Sequence, residues 1–206
     1  MKKEITISSR LFFTSDLHFG HLPLMKFNNR PFENTEEMDS ALIDNWNRVV
    51  PADGVVYVLG DIGHSETKIA RIQEIFGRLK GKKILIRGNH DEDYKEDALR
   101  TIFEEIHDIL YLRVRDEMTD SYTYMVLCHY PMVDWQSSFR GAWQLFGHVH
   151  TRDIPEFETF KKNLFDTQYD VGVDQNEFTP LSFSQLKTAI EKQKEESGFK
   201  TNNYFL

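Results

Sequence analysis

Apolar positions along the chain fall into short runs that stop at a polar residue or a glycine. Six recur: LFFTSD (11–16), GVVYVLGD (54–61), KKILIRGN (82–89), YTYMVLCH (122–129), AWQLFGH (142–148) and QYDVGVD (168–174). Each is rich in β-branched or aromatic residues, the pattern of strands covered on both faces. IHDILYLRV (106–114) is a further strand candidate. Between the runs the period lengthens. Thr35 is read as the cap of EEMDSALIDNWNRVV, which carries Met38, Leu42, Ile43 and Trp46 on one face. Ser65 and Glu66 open TKIARIQEIFGRL, with Ile69, Ile72, Ile75, Phe76 and Leu79 at helical spacing, and 92–104 and 182–196 are expected to be helical too. Alternating strands and helices predict an α/β fold with largely parallel pairing. No repeat, low-complexity tract or linker divides the chain, so 1–206 is read as one domain. The last nine residues, GFKTNNYFL, read as either a frayed tail or an aromatic anchor.

Composition narrows the function. Of 206 residues, 40% are apolar, so a sizeable core is available, and the formal charge is −8. That balance argues against an extended nucleic-acid surface or binding to anionic membrane, both of which run on clustered Lys and Arg. A small phosphorylated substrate stays compatible, and two divalent cations would offset about four of the negative charges. The single cysteine, Cys128, excludes an intramolecular disulfide and a Cys-based zinc motif. The apolar start is too short for a signal peptide and no run reaches membrane-spanning length, so a cytoplasmic protein is expected.

The polar residues that stop the runs carry the chemistry. LFFTS ends in Asp16-Leu17-His18, VVYVLG in Asp61, KILIRG in Asn89-His90-Asp91, YMVLC in His129 and WQLFG in His148-Val149-His150. In open α/β sheets, ligand sites lie beyond the carboxyl ends of strands. Five of the eight histidines occupy those ends, and His21 and His64 lie three residues beyond a candidate ligand. Imidazole with carboxylate suits Mn, Fe, Zn, Co or Ni better than Ca. Seven ligands exceed what one open catalytic ion needs, whereas two ions sharing a carboxylate use that number. In an extended D-x-H or H-x-H, alternate residues point the same way and address one ion. A structural site is disfavoured, since such sites are closed and rich in thiolates.

DLH (16–18), GD (60–61), GNHD (88–91), His129 and GHVH (147–150) together resemble the calcineurin-like metallophosphoesterase superfamily, in its small bacterial and phage-type phosphohydrolase branch. The resemblance implies a four-layer αββα sandwich of two mixed sheets. It implies one metal on Asp16, His18 and His150, a second on Asn89, His129 and His148, and Asp61 bridging them. Manganese heads the implied metals, with Fe, Zn²⁺, Ni²⁺ and Co²⁺ as others. The implied reaction is hydrolysis of a phosphate mono- or diester by hydroxide that bridges the two metals. His90, beside a ligand on a strand end, points away from the metals and is expected to protonate the leaving oxygen or to stabilise the transition state. Either Asp91 supplies the carboxylate that orients it, or His90 is tuned differently. One position departs from the family: some members carry an Asp three residues after the bridging Asp, where this chain has His64.

His21, His64, Arg30 and Arg140 are candidate substrate contacts, and Trp135, Phe139 and Arg140 a candidate substrate wall. Asp170 and Asp174 either support the site or cap a strand. The expected substrate is a small or nucleotide-like phosphate ester. The alternatives are a catalytically silent scaffold of the same fold, a nuclease of short strands, and a redox dimetal protein.

Overall fold

The computed structural model describes residues 3–5, 7–152 and 155–197, so the tail 198–206 lies outside the described residues. One sheet is built from β2 (Leu11–Thr14), β3 (Val55–Val58), β4 (Lys82–Ile86) and β5 (Glu105–His107), all parallel, with β10 (Leu181–Ser182) antiparallel beside β2. The other contains β1 (Lys3–Ile5), β6 (Ile109–Arg115), β7 (Tyr122–Cys128), β8 (Trp143–Phe146) and β9 (Gln168–Asp170) in that order. Here only the β6–β7 pair is antiparallel. Both sheets are therefore mixed and largely parallel.

Period-two alternation decides which side chain goes where. Leu11, Phe13, Tyr57, Leu59, Ile84 and Ile86 of the first sheet face Leu110, Leu112, Val114, Met125, Leu127 and Leu145 of the second in one buried cluster. Phe12, Val56, Val58 and Leu85 point outward, onto α2 (Thr35–Val49) and α3 (Ile69–Arg78). Met38, Leu42, Ile43 and Trp46 of α2 and Ile72, Ile75 and Phe76 of α3 supply the facing stripe. On the far side, Phe160 of α5 (Glu158–Asn163) meets Phe146, and Val126 packs with Trp135 and Ala142. The last helix, α6 (Phe183–Ser197), feeds Phe183, Leu186 and Ile190 into the core between the sheets.

A parallel bridge between Ser15 and Gly172, just past β2 and β9, joins the two sheets at one edge. The carboxyl ends of β2, β3, β4, β7, β8 and β9 all open there.

Several boundaries differ from the sequence reading. The stretch 106–114 is two strands: β5 belongs to the first sheet and β6 to the second, and the chain crosses between them at Asp108. The expected helix over 92–104 is a 3-10 turn at 91–93 followed by α4 (Glu96–Leu99). Helix α3 begins at Ile69 rather than near Ser65, because Thr67 N–H bonds back to the His64 carbonyl and closes a turn first. The short α1 (Leu22–Phe27), α5, β1 and β10 carried too little periodicity to be read.

Helix α2 is capped by Asn34, not Thr35: its side-chain oxygen accepts from Glu37 N–H at 2.9 Å, and the Glu37 carboxylate accepts from Glu33 N–H at 2.7 Å. Replacing Asn34 by Ala should cost about 1 kcal/mol of unfolding free energy. Urea denaturation checks this, and an unchanged midpoint would remove the cap from the account.

Candidate metal centre

The loops leaving the strands bend sharply. Asp16, His18, Asp61, His148 and His150 all hold positive φ, between 48° and 70°. Non-glycine residues adopt that left-handed region at a cost of about 1–3 kcal/mol each, and they cluster where function needs them. D-x-H and H-x-H are therefore coiled, not extended. Their paired residues converge because the chain curls around a point, which corrects the alternation expected from sequence. The glycines before the ligands answer a second need. A Cβ at Gly88 would overlap the Asp61 carboxylate, and one at Gly147 would overlap the side chains of Ser15 and Asp16.

The curled loops bring the predicted ligands together in two groups. Asp16, His18 and His150 place one ligand atom each within 4.8 Å of one another, and so do Asp61, His129 and His148. Asn89 Oδ1 joins the second group, 3.2 Å from His129 Nε2 and 2.9 Å from His148 Nδ1. Asp61 Oδ2 lies 3.5 Å from His18 Nε2 and 3.5 Å from His129 Nε2, so one carboxylate oxygen faces both groups.

The donor chemistry fits cations. His129 Nδ1 lies 2.6 Å from the Leu59 carbonyl and His150 Nδ1 lies 2.8 Å from Asp174 Oδ2. Those acceptors fix the proton on Nδ1 and leave each Nε2 lone pair facing the site, the tautomer metal-ligating histidines adopt. His18 Nε2 is buried and has no hydrogen-bond partner. Lone pairs of Asp61, Asn89 and His129 thus converge with nothing but a cation or a proton able to sit among them. Burial opposes charging His129, but its hydrogen bond to Asp61 and the charges of Asp16 and Asp61 outweigh that and push it up to about 9. Burial likewise raises Asp16 to about 7.

Beneath the ligands is a second set of side chains. Asp91 is fully buried, and its carboxylate accepts from the N–H groups of Asp61 (3.0 Å), Ile62 (3.0 Å) and Gly88 (2.8 Å). It ties the loop of Asp61 to that of Asn89 and touches no histidine ring, which corrects the expectation that it orients His90. Arg30 is buried and makes a two-pronged pair with Asp174, at 2.9 and 2.8 Å, while also donating to the carbonyls of Leu17 and Asp16. It is enclosed beneath the ligands, not open to substrate. Asp174 in turn holds His150. Asp170 accepts from Thr151 and Gly172 and shapes the turn after His150.

The remaining candidates separate by place. His90 N–H donates to Asp61 Oδ1 at 3.0 Å, and its ring lies 5.3 Å from that of His18 and 5.0 Å from that of His64. It also completes a group with His18 and Asp61 whose ligand atoms lie within 4.8 Å of one another. His21 and His64 stack at 3.9 Å with an interplanar angle of 16°. Burial, with His64 and His90 nearby, lowers His21 to about 4. Trp135 is buried, its indole N–H donating to the Ala142 carbonyl, and so forms no wall. Phe139 is exposed and Arg140 lies over its ring at 5.3 Å, and among the described residues no ion pair or hydrogen bond joins Arg140 to the candidate ligands. Tyr130 takes the rim position instead: it is 44% exposed, with its ring 4.7 Å from His148 and 5.0 Å from His129. Its adjacency to His129 was the only signal in the sequence.

The profile of the calcineurin-like phosphoesterase family matches residues 9–125. The chain is 32% identical over 185 residues to the uncharacterized protein MJ1445 of Methanocaldococcus jannaschii, spanning 90% of this chain and 93% of that one. It is 32% identical over 187 residues to the Gene 66 protein of Mycobacterium phage L5, spanning 81% of this chain and 87% of that one. Its fold is similar to that of AQ665, a protein of unknown function from Aquifex aeolicus, with a TM-score of 0.65 at 22% identity over 86% of this chain and 97% of that one. The chain belongs to the calcineurin-like phosphoesterase family, and its residue clusters could hold the metal ions of a metal-dependent phosphoesterase. The matched profile ends before His129, His148 and His150, which join the site on geometry. Among the described residues, no helix is long and apolar enough to cross a membrane.

If Asp174 orients a ligand, Asp174→Asn should weaken Mn²⁺ affinity by roughly 10–100-fold with the fold retained. Calorimetric titration of the folded variant checks it; wild-type affinity would strip Asp174 of that role.

Proposed function

We propose that the chain is a binuclear metal-dependent phosphoesterase acting on a small or nucleotide-like phosphate ester. The observation that carries this is Asp61 Oδ2, equidistant at 3.5 Å from an imidazole nitrogen of each ligand group. Asp16, His18 and His150 would hold one ion, Asn89, His129 and His148 the other, and Asp61 both. A mixed set of carboxylate, amide and imidazole donors without thiolate favours Mn²⁺, with Fe, Zn²⁺, Co²⁺ or Ni²⁺ as substitutes. Bound there, the ions supply Lewis-acid polarisation of the phosphoryl group and a water acidic enough to attack near neutral pH.

The chain's own side chains then divide the work. His90 is anchored through its backbone N–H to Asp61, and its imidazole sits at the edge of the centre beside the rings of His18, His21 and His64. It donates the proton to the leaving oxygen as the bond to phosphorus breaks. His21 and His64 line the space beside it. Tyr130 borders the opposite end, against His129 and His148. Asp91 and the Arg30–Asp174 pair hold these groups in place, so that little reorganisation accompanies the reaction.

Two substitutions separate the roles. Asp61→Asn should abolish both activity and two-ion stoichiometry. His90→Ala should keep two ions bound and slow turnover roughly 10²–10⁴-fold. Elemental analysis beside rate measurements with alkyl phosphate esters, whose poor leaving groups need the proton, reads both. Loss of metal from His90→Ala would make His90 a ligand, as its proximity to His18 and Asp61 allows; full activity in Asp61→Asn would refute the bridge.

A further inference from the structure

The walls of the centre differ from what a terminal phosphate demands. A phosphate monoester dianion presents three non-bridging oxygens and two charges. Two cations can meet two of those oxygens, and the third calls for a charged donor, the task for which arginine's fixed fork is suited. A diester has two non-bridging oxygens, one charge and a second organic arm. The side chains around the ligands match the second case. On the His90 side the wall is the stacked pair His21–His64, and on the other side it is the exposed ring of Tyr130.

Fixed cations are absent from these walls among the described residues. Arg30, the arginine that touches the ligand loops, is turned away and closed in by Asp174 and two backbone carbonyls. Arg152, two residues past His150, donates to the Asn28 carbonyl. Arg87, two residues before Asn89, is paired with Glu96 and Asp108. Arg140 lies over Phe139.

Building on the phosphoesterase reading above, we propose that the substrate is a phosphodiester monoanion, whose leaving arm lies along the His21–His64 pair and whose retained arm lies against Tyr130. Water adds to phosphorus and the bond to the leaving oxygen breaks. That oxygen receives the proton from His90, one proton of the attacking water restores His90 and the other passes to solvent as the monoester ionises, so the products are an alcohol and a monoester, with one water consumed and no co-reactant. The monoester product, carrying one more charge and one arm fewer, suits the same walls poorly, so hydrolysis stops there.

The test uses the full chain loaded with Mn²⁺, with bis(p-nitrophenyl) phosphate and p-nitrophenyl phosphate as probes. The expected result is a kcat/KM at least about tenfold higher for the diester, with one nitrophenol released per diester and p-nitrophenyl phosphate accumulating. Tyr130→Ala should raise KM for the diester about tenfold, a typical loss for one stacking partner, and His64→Arg should move the ratio toward the monoester. Equilibrium binding supplies a readout apart from turnover: the Mn²⁺-loaded His90→Ala chain should bind the diester more tightly than the monoester in calorimetry. Equal or better use of the monoester, or tighter binding of it, overturns the diester assignment while leaving the phosphoesterase reading intact. No hydrolysis of either ester by the loaded wild-type chain overturns both.

Discussion

One buried carboxylate oxygen, Asp61 Oδ2, faces an imidazole from each sheet: His18 follows β2 in one and His129 ends β7 in the other. With the Nδ1 proton of His129 committed to the Leu59 carbonyl, the atoms that meet at Asp61 are chiefly lone pairs, and gathering them out of water is costly unless positive charge joins them. Cations bound as proposed would resolve that conflict and would also tie the sheets together at the edge where Ser15 bridges Gly172. Function and fold meet at that point.

The cost of the arrangement is visible in the backbone and met from below. Five candidate ligand residues hold left-handed conformations that a free chain would leave. What retains them is a layer of buried charge and hydrogen bonding: Asp91 on three backbone N–H groups, and Arg30 between Asp174 and two carbonyls of the DLH loop. Asp174 then passes its orientation to His150. The candidate ligands of these loops are thus held in place by the chain's own hydrogen bonds.

Much of this was legible in the sequence, for a physical reason. Ligand chemistry resides in side-chain type, and strand ends are visible as the places where apolar runs stop, so Asp16, His18, Asp61, Asn89, His129, His148 and His150 could be picked out before any coordinates, while their division into two groups came from the family resemblance. Sandwiched strands also declare themselves through continuous apolar runs. What escaped was long-range or conformational. Arg30 and Asp174 are 144 positions apart, and nothing local announces their pairing. Positive φ at aspartate and histidine leaves no mark in composition. Asp91 looked like a partner for its neighbour His90, whereas its carboxylate reaches backbone across the loop. The break at Asp108 is one residue long, too brief to interrupt an apolar pattern, yet it moves the chain from one sheet to the other.

The account stands or falls on paired cations around Asp61. Anomalous scattering from crystals soaked in Mn²⁺ measures this directly. Two peaks roughly 3.5–4 Å apart, with the Asp61 carboxylate between them, are predicted. A single peak, or peaks away from Asp61, would contradict it.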